Sequence, residues 1–461
     1  MRHLTLLVAF LAFHSLFAQS PMRNWHFGAN AAVDMLAGPP LFQTGSAMWA
    51  GESCVSISDA NGNLSFYSDG MSVWNAGHVT MPNGTGLLCN SGDWQQGVAS
   101  CPWPNVANKH LIFHTDIDHT LYWSVVDMSL NGGTGDVTNK NTFLTNGIGE
   151  AMTIARHSNG TDYWLVVRDF SADLFKVYPI TSTGVGPLSS SVACGMDDFD
   201  FTGMVRFNHA HTWMATTMRG VFGNEGHVGL FPFDAATGIL SPGTLVPSVD
   251  PVGLEFSCSD RFLYHSRGSL PIQQFNMLTG NAADILAAPV DATVPIGASA
   301  LANAPDNRIY FVWNDQWNRG SRVLGAILEP EEIGLACNMT DSAIVWTDPF
   351  AATTTSLPSF IQQQASVVGN CTPVSVSSIE GPNNSPVLSN TLVDHGTWVR
   401  WSDIKAYRLD LISATGGLVR TEHVRGTDHW LAAETLSTGS YVLRLTSDQG
   451  GFVRSLKFMK E

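Results

Sequence analysis

One unit recurs along most of the chain: a Gly- or Ser-rich opening, a short apolar strand, a turn, an aromatic strand, a second turn and a further strand. It reads GESCVSISDANGNLSFYSDGMSVWN from Gly51 and GVASCPWPNVANKHLIFHTDIDHTLYWSVVDM from Gly97. It returns from Gly149, Thr202, Pro251 and Ile296. The spacing, about 45 to 55 residues, is the length of a four-stranded propeller blade. A unit of this kind cannot cover both of its own faces, so each copy needs a neighbour.

The strands inside the units support a propeller over an open sheet. YWLVVRD (Tyr163 to Asp169) and RIYFVWN (Arg308 to Asn314) are apolar at successive positions. A strand with one wet face would alternate. Asn61-Gly62 and Asn159-Gly160 fall where hairpin turns are needed. NWHFGANAAVDMLAGPP, from Asn24, offers about three further strands, and SLPSFIQQQ, from Ser356, offers one. Joining the two closes a seventh blade and leaves no open sheet edge. Six or eight blades are the alternatives.

From about Gln364 to Asn384 the pattern gives way to a Pro-, Ser-, Asn- and Gly-rich linker composition. Regular alternation follows: Tyr407, Leu409 and Leu411 face one way, Arg408 and Asp410 the other. The expected fold class is all-β, a seven-bladed β-propeller followed by a small C-terminal antiparallel β-sandwich. The expected boundaries are a signal peptide over 1–18, the propeller over 19–367 with its last blade closed by 356–364, a linker over 368–378 and the C-terminal module over 379–461.

The N-terminus, MRHLTLLVAFLAFHSLFAQS, has one basic residue before an apolar run and small residues after it. That is the pattern of a secretory signal peptide cut after Ala18. Export permits disulfides among the seven cysteines. Sequence proximity suggests Cys89–Cys101 and Cys337–Cys371, and the odd count leaves one thiol over.

The net charge is −16, and the excess sits in the larger N-terminal part, since nine Lys and Arg balance nine Asp and Glu from Ser375 onward. An acidic domain without a basic stripe argues against nucleic acid as a partner and against an electrostatic hold on anionic lipid. No phosphate-binding loop, dinucleotide fingerprint or G-x-S-x-G elbow occurs. No cofactor is called for, and no Cys/His spacing suits zinc.

Five groups of residues could carry functional chemistry. Glu52, Glu150 and Glu255 open repeat units, where the first strand of a blade lines the central channel. Two carboxylates there could act on a glycosidic bond, contact a ligand, or hold neighbouring blades together. Trp94, Trp103, Trp313 and Trp317 lie in or beside loops, where an indole can stack on a sugar or anchor an interface. His110, His114, Asp116, Asp118 and His119 crowd one hairpin, but strand alternation separates neighbouring side chains, which disfavours a metal site. DANGN (Asp59 to Asn63) reads as a hairpin turn rather than a calcium loop. Asp197, Asp198 and Asp200 form an acidic loop, read as solvated, with calcium binding as the alternative.

The C-terminal module resembles the type A sorting domain of the type IX secretion system. The residues that carry the resemblance are LDLISATGGLVR (Leu409 to Arg420), LSTGSYVLRL (Leu436 to Leu445) and SLKFMKE (Ser455 to Glu461). Leu436, Ser437, Gly439, Tyr441, Lys457 and Lys460 match the family signature, while TGGLVR departs from its usual turn. NWHFGANAAVDMLAGPP, ISDANGNLSFYSDGMSVWN and SLPSFIQ resemble the propeller-like regions of surface proteins exported by that system. The resemblance implies the type IX secretion machinery as a partner, passage across the outer membrane and removal of the sorting domain. The propeller is then anchored to surface lipopolysaccharide or released. The functional expectation is non-catalytic binding of a glycan or protein at the cell surface. The alternatives are an extracellular glycosidase or lyase using channel carboxylates, a structural part of a surface assembly, and a tail that is merely an accessory sandwich.

Overall fold

The computed structural model describes residues 21–36, 40–90, 95–195, 203–219, 225–313, 321–355, 357–362, 371, 387–388, 392–413, 417–447 and 452–460. The expected signal peptide and the Asp197–Asp200 loop lie outside the described residues, as do Trp94 and Trp317.

Seven antiparallel sheets follow one another along the chain; five are meanders in sequence order, and in the other two the last strand, Ser190–Ala193 or Thr244–Val249, pairs with the third strand beyond a short hairpin. We number them blades 1 to 7: residues 24–43, 55–85, 98–146, 148–193, 203–249, 254–291 and 298–345. The first strands of successive blades touch one another, as in the wall of a propeller channel. The doubly apolar strands sit where that reading needs them. Every residue of Tyr163–Asp169 is buried, and so is every residue of Gly203–Phe207 and of Ala298–Asn303. The packing is a ring of inter-blade cores. Val55, Phe66, Ile112 and Val126 join blades 2 and 3. Phe113, Leu121, Ile154 and Leu165 join blades 3 and 4, and Phe175, Phe207 and Phe231 join blades 4 and 5. Trp25, Phe27, Tyr67, Tyr310 and Trp346 span blades 7, 1 and 2 and so fasten the first sheet to the last.

Ring closure differs in detail from the expected strand over 356–364. The backbone bridge lies earlier: the Ala29 N–H donates to Ala352 O at 2.9 Å, and the Ala352 N–H donates back at 2.8 Å. A Cβ on Gly28 would stand 2.4 Å from that same Ala352 oxygen, and Gly28 has φ +58°. The position therefore needs glycine twice over, for its conformation and for the close approach. Beyond the bridge, Leu357–Gln362 is not a strand. Its polar groups bond to the blades around it instead: the Ser359 N–H reaches Cys54 O at 2.9 Å, and the Gln362 amide donates to Glu255 at 2.6 Å.

The disulfide expectations are corrected. Cys258 bonds to Cys371, whereas Cys89, Cys101 and Cys337 are free thiols. Proximity in sequence misled because Cys89 and Cys101 lie in different blade elements. Cys258 follows the first strand of blade 6 and meets a cysteine 113 residues further on.

The C-terminal module is a sandwich made from one bent sheet. Gly396–Ser413 and Leu418–Ala432 pair along their length and bend together, at a register shift between Arg400 and Lys405 and at Gly426, φ +151°. The bend brings residues far apart on one strand into contact: Arg420 Nη2 donates to Ala432 O at 2.5 Å. Tyr407, Leu409, Leu411, Leu431, Leu443 and Leu445 fill the space between the layers, as their alternation predicts. Ile412 and Val442 of this module pack against Ala336 of blade 7. Among the described residues no helix is long and apolar enough to cross a membrane.

Candidate functional site

The channel carboxylates are the first candidates, and the chain itself fills the channel around them. Glu255 lies on the inner strand of blade 6 and is 1% exposed. Its carboxylate accepts from Phe256 N at 2.9 Å, Asn303 N at 3.0 Å and Gln362 Nε2 at 2.6 Å. Arg206 of blade 5 stands 3.6 Å away as its buried counter-ion. The Gln362 carbonyl meets His211 Nε2 at 3.0 Å. Gln96, from the chain before blade 3, reaches blade 5. Its Nε2 donates to Val205 O at 2.9 Å, and the Val205 N–H donates to its Oε1 at 2.7 Å. Ser359, Phe360 and Ile361 occupy the space between the inner strands of blades 3, 4 and 5. A residual cavity of about 10 Å³ remains, room for a single water molecule.

Glu150, buried at the junction of blades 3 and 4, accepts from Gln95 N at 3.4 Å. Glu52 is part-exposed just before the first strand of blade 2. The described contacts of Glu150 and Glu255 belong to different blade junctions, and Glu255 is sealed from solvent. Of the three roles considered for Glu255, the geometry supplies the one that holds blades together.

The tryptophans divide. Trp103 donates to Ser182 O at 3.2 Å and meets Trp123 edge-on, while Trp313 donates to Asp341 O at 3.2 Å and packs against Phe311. Both are half-buried blade residues pinned through their indole N–H. Among the described residues the exposed indoles are Trp49, Trp398 and Trp430. Alternation in TWVRW could have found Trp398, because Thr397 and Val399 point into the core.

The histidine hairpin is structural. His114 contacts Leu88 O at 2.7 Å and Ser124 Oγ at 2.9 Å, and the Asp116 carboxylate caps its turn by accepting from Asp118 N and Thr120 N. Burial pushes both His110 and His114 down to about 4. Asp59 likewise caps its turn, accepting from Asn61 N and Asn63 N. Among the described residues no three or more His, Cys, Asp or Glu side chains are grouped to hold a metal ion.

In the C-terminal module the signature residues perform folding tasks. Tyr441 donates to Ser437 O at 2.8 Å and stacks on Phe458. Gly439, φ +150°, opens the strand Gly439–Ser447, Leu436 packs against the core, and Lys460 pairs with Asp394 at 3.3 Å. Lys457 pairs with Val442 in the ladder.

An open concave site of ligand size lies elsewhere, in the cleft between blades 5 and 6. It encloses about 600 Å³, within the usual range for small-molecule sites. One wall is the outer part of blade 5, Glu225–Asp234 and Thr244–Val249. The other is Gln273–Asn276 with the short helix Ala282–Leu286. Asn281 caps that helix by accepting from Ala283 N and Asp284 N, which turns Leu286 toward the cleft. Ser248 lines the cleft, and its Oγ lies 3.0 Å from Nε2 of His265, which is fully buried behind it. The pair resembles a nucleophile and its base but lacks the third member: His265 Nδ1 is buried with no hydrogen-bond partner among the described residues. Burial, with Arg267 adding to it, pushes this imidazole down to about 3, far from the range of a general base at neutral pH.

No family model and no curated protein matches the chain. Among solved structures it is similar to Kuenenia stuttgartiensis hydrazine synthase, at 11% identity and a TM-score of 0.38, over 69% of this chain and 98% of that one. It is also similar to a protein from Lactobacillus plantarum, at 13% identity and a TM-score of 0.38, over 72% and 92% of the two chains. The propeller assignment rests on the sheet order and the ring of cores described above.

Proposed function

We propose that the protein is a secreted or cell-surface binding propeller, exported through the type IX secretion system by its C-terminal module and acting by recognition rather than catalysis. One observation carries the choice of recognition: Gln362, Arg206 and Asn303 enclose Glu255, so the carboxylate best placed for channel chemistry has no access to a polymer. The export reading is supported by the sorting-domain resemblance of Leu409 to Glu461. A disulfide, which belongs to oxidising compartments, agrees with it.

Incubating the purified protein with polysaccharides and surface proteins, and recording both bound mass and small products, tests the recognition reading. Saturable binding without products is expected. Product formation that is lost in Glu52→Gln, Glu150→Gln or Glu255→Gln would replace it with the glycosidase or lyase reading. For export, residues 379–461 fused to a reporter are expected to bring it to the surface of a bacterium that has this system, and a reporter retained inside would refute the assignment.

A further inference from the structure

The cleft between blades 5 and 6 has a charge character unlike the rest of the chain. The protein carries 39 Asp and Glu against 23 Lys and Arg, yet among the described residues no acidic side chain lines this cleft. Its polar lining is Arg267, His227, Gln273 and Ser248, and its floor and walls are apolar, with Val246, Phe275 and Leu286 among them. Arg267 is held in place: its Nε donates to Pro271 O at 3.1 Å, and its Nη2 donates to Asp291 at 3.0 Å. Its side chain is 14% exposed and that of Asp291 is 57% exposed. The Arg267 side chain is thus mostly buried while its counter-ion faces water, and among the described residues no hydrogen bond engages its Nη1, which leaves that group for a second acceptor.

The open edge of blade 5 argues against a peptide adding as a strand. Thr244–Val249 contains Pro247, and a ladder tolerates proline only where the missing N–H would point outward. The donor is therefore missing on the edge a strand would use. A compact ligand fits better.

We propose that this cleft binds a small amphipathic anion, an apolar body lying against Val246, Phe275 and Leu286 with a carboxylate on Arg267. The proposal rests on the reading of the propeller as a binding module and names the ligand class of one site on it. Asp291 competes with the ligand head for the same guanidinium, so the two neighbouring substitutions act in opposite directions.

The test is isothermal titration calorimetry of the full chain with sodium octanoate and, separately, with 1-octanol. Octanoate is expected to bind at one saturable site and more tightly than octanol. Arg267→Gln is expected to weaken octanoate by about tenfold or more, the size of one lost charge-assisted hydrogen bond, and to leave octanol unchanged. Asp291→Asn is expected to tighten octanoate, and because Asp291 is exposed this variant reports even if Arg267→Gln fails to fold. No octanoate binding, equal binding of octanoate and octanol, or an Asp291→Asn variant that binds octanoate no more tightly would each overturn the proposal. Retained binding of a polysaccharide or surface protein in those cases would show that only the cleft assignment had failed.

Discussion

Gln362 and Glu255 are 107 residues apart in sequence, yet the Gln362 amide donates to the buried Glu255 carboxylate at 2.6 Å. The contact makes the chain's exit from the propeller part of its core. Gln362→Ala is expected to destabilise the propeller by about 1–3 kcal/mol, since it leaves a buried carboxylate oxygen short of a donor. Glu255→Ala is expected to cost more, about 3–5 kcal/mol, because it strands the buried Arg206 guanidinium. Urea unfolding of the two variants would rank them, and an unchanged midpoint for both would show that the closing segment does not hold the ring.

Acidification should unfold the propeller well above the range in which carboxylates titrate. His26 and His265 are pushed down to about 3 by burial, and His110, His114 and His211 to about 4. An unfolded histidine takes up its proton near 6.5. The unfolded state therefore binds more protons between pH 6.5 and about 4, and stability falls as the pH drops through that window. Each such histidine contributes up to ~1.4 kcal/mol per pH unit. His26 is the clearest single case: both ring nitrogens lack hydrogen-bond partners among the described residues, and the ring stacks on Tyr67 at 4.3 Å. His26→Phe keeps the stack and is expected to reduce the loss of Tm between pH 7 and pH 5. A pH profile identical to that of the unsubstituted protein would contradict the assignment.

The architecture was legible because it depends on local, repeated signals. Strands such as Tyr163–Asp169 are apolar on both faces for the same reason that they are buried on both faces. The alternation of Tyr407, Leu409 and Leu411 placed the second core correctly. The candidate site was much less legible. Position within a repeat put Glu255 at the channel, but nothing local to Glu255 reveals that Gln362 would arrive to cover it. The cleft beside Arg267 was missed because Ser248 and Gln273 come from strands of two blades and Arg267 from the loop before Gln273. The disulfide was missed likewise, since its partners meet only when the ring closes.

Ring closure gives a comparison between two glycines. Both Gly28 and Gly160 have positive φ, +58° and +76°. A Cβ at Gly160 meets nothing within 4 Å, whereas at Gly28 it collides with Ala352 O. Gly160→Ala is expected to cost about 1 kcal/mol, from the backbone conformation alone. Gly28→Ala adds the collision and should cost roughly 1–3 kcal/mol more, by weakening the bridge between the first and last blades. Chemical denaturation of the two variants measures the difference, and equal losses would mean that the Gly28–Ala352 approach is not tight.

The Cys258–Cys371 bond closes a loop of about 113 residues that contains all of blade 7 and the Gln362 segment. Cross-linking so long a loop removes much of the freedom of the unfolded chain, worth about 2–5 kcal/mol. Cys258→Ser and Cys371→Ser should therefore lower stability to the same extent, and the double variant should lower it no further than either alone. A reducing agent should bring the unsubstituted protein to the same level. Cys54, Cys101 and Cys337 are buried, and burial pushes each of these thiols up, Cys337 to about 12, so they should not react with a thiol reagent until the propeller unfolds. Peptide mapping without reduction would recover Cys258 joined to Cys371. Recovery of Cys89 joined to Cys101 would instead show that neighbours in sequence had paired and that the closing segment is not covalently tied to blade 6.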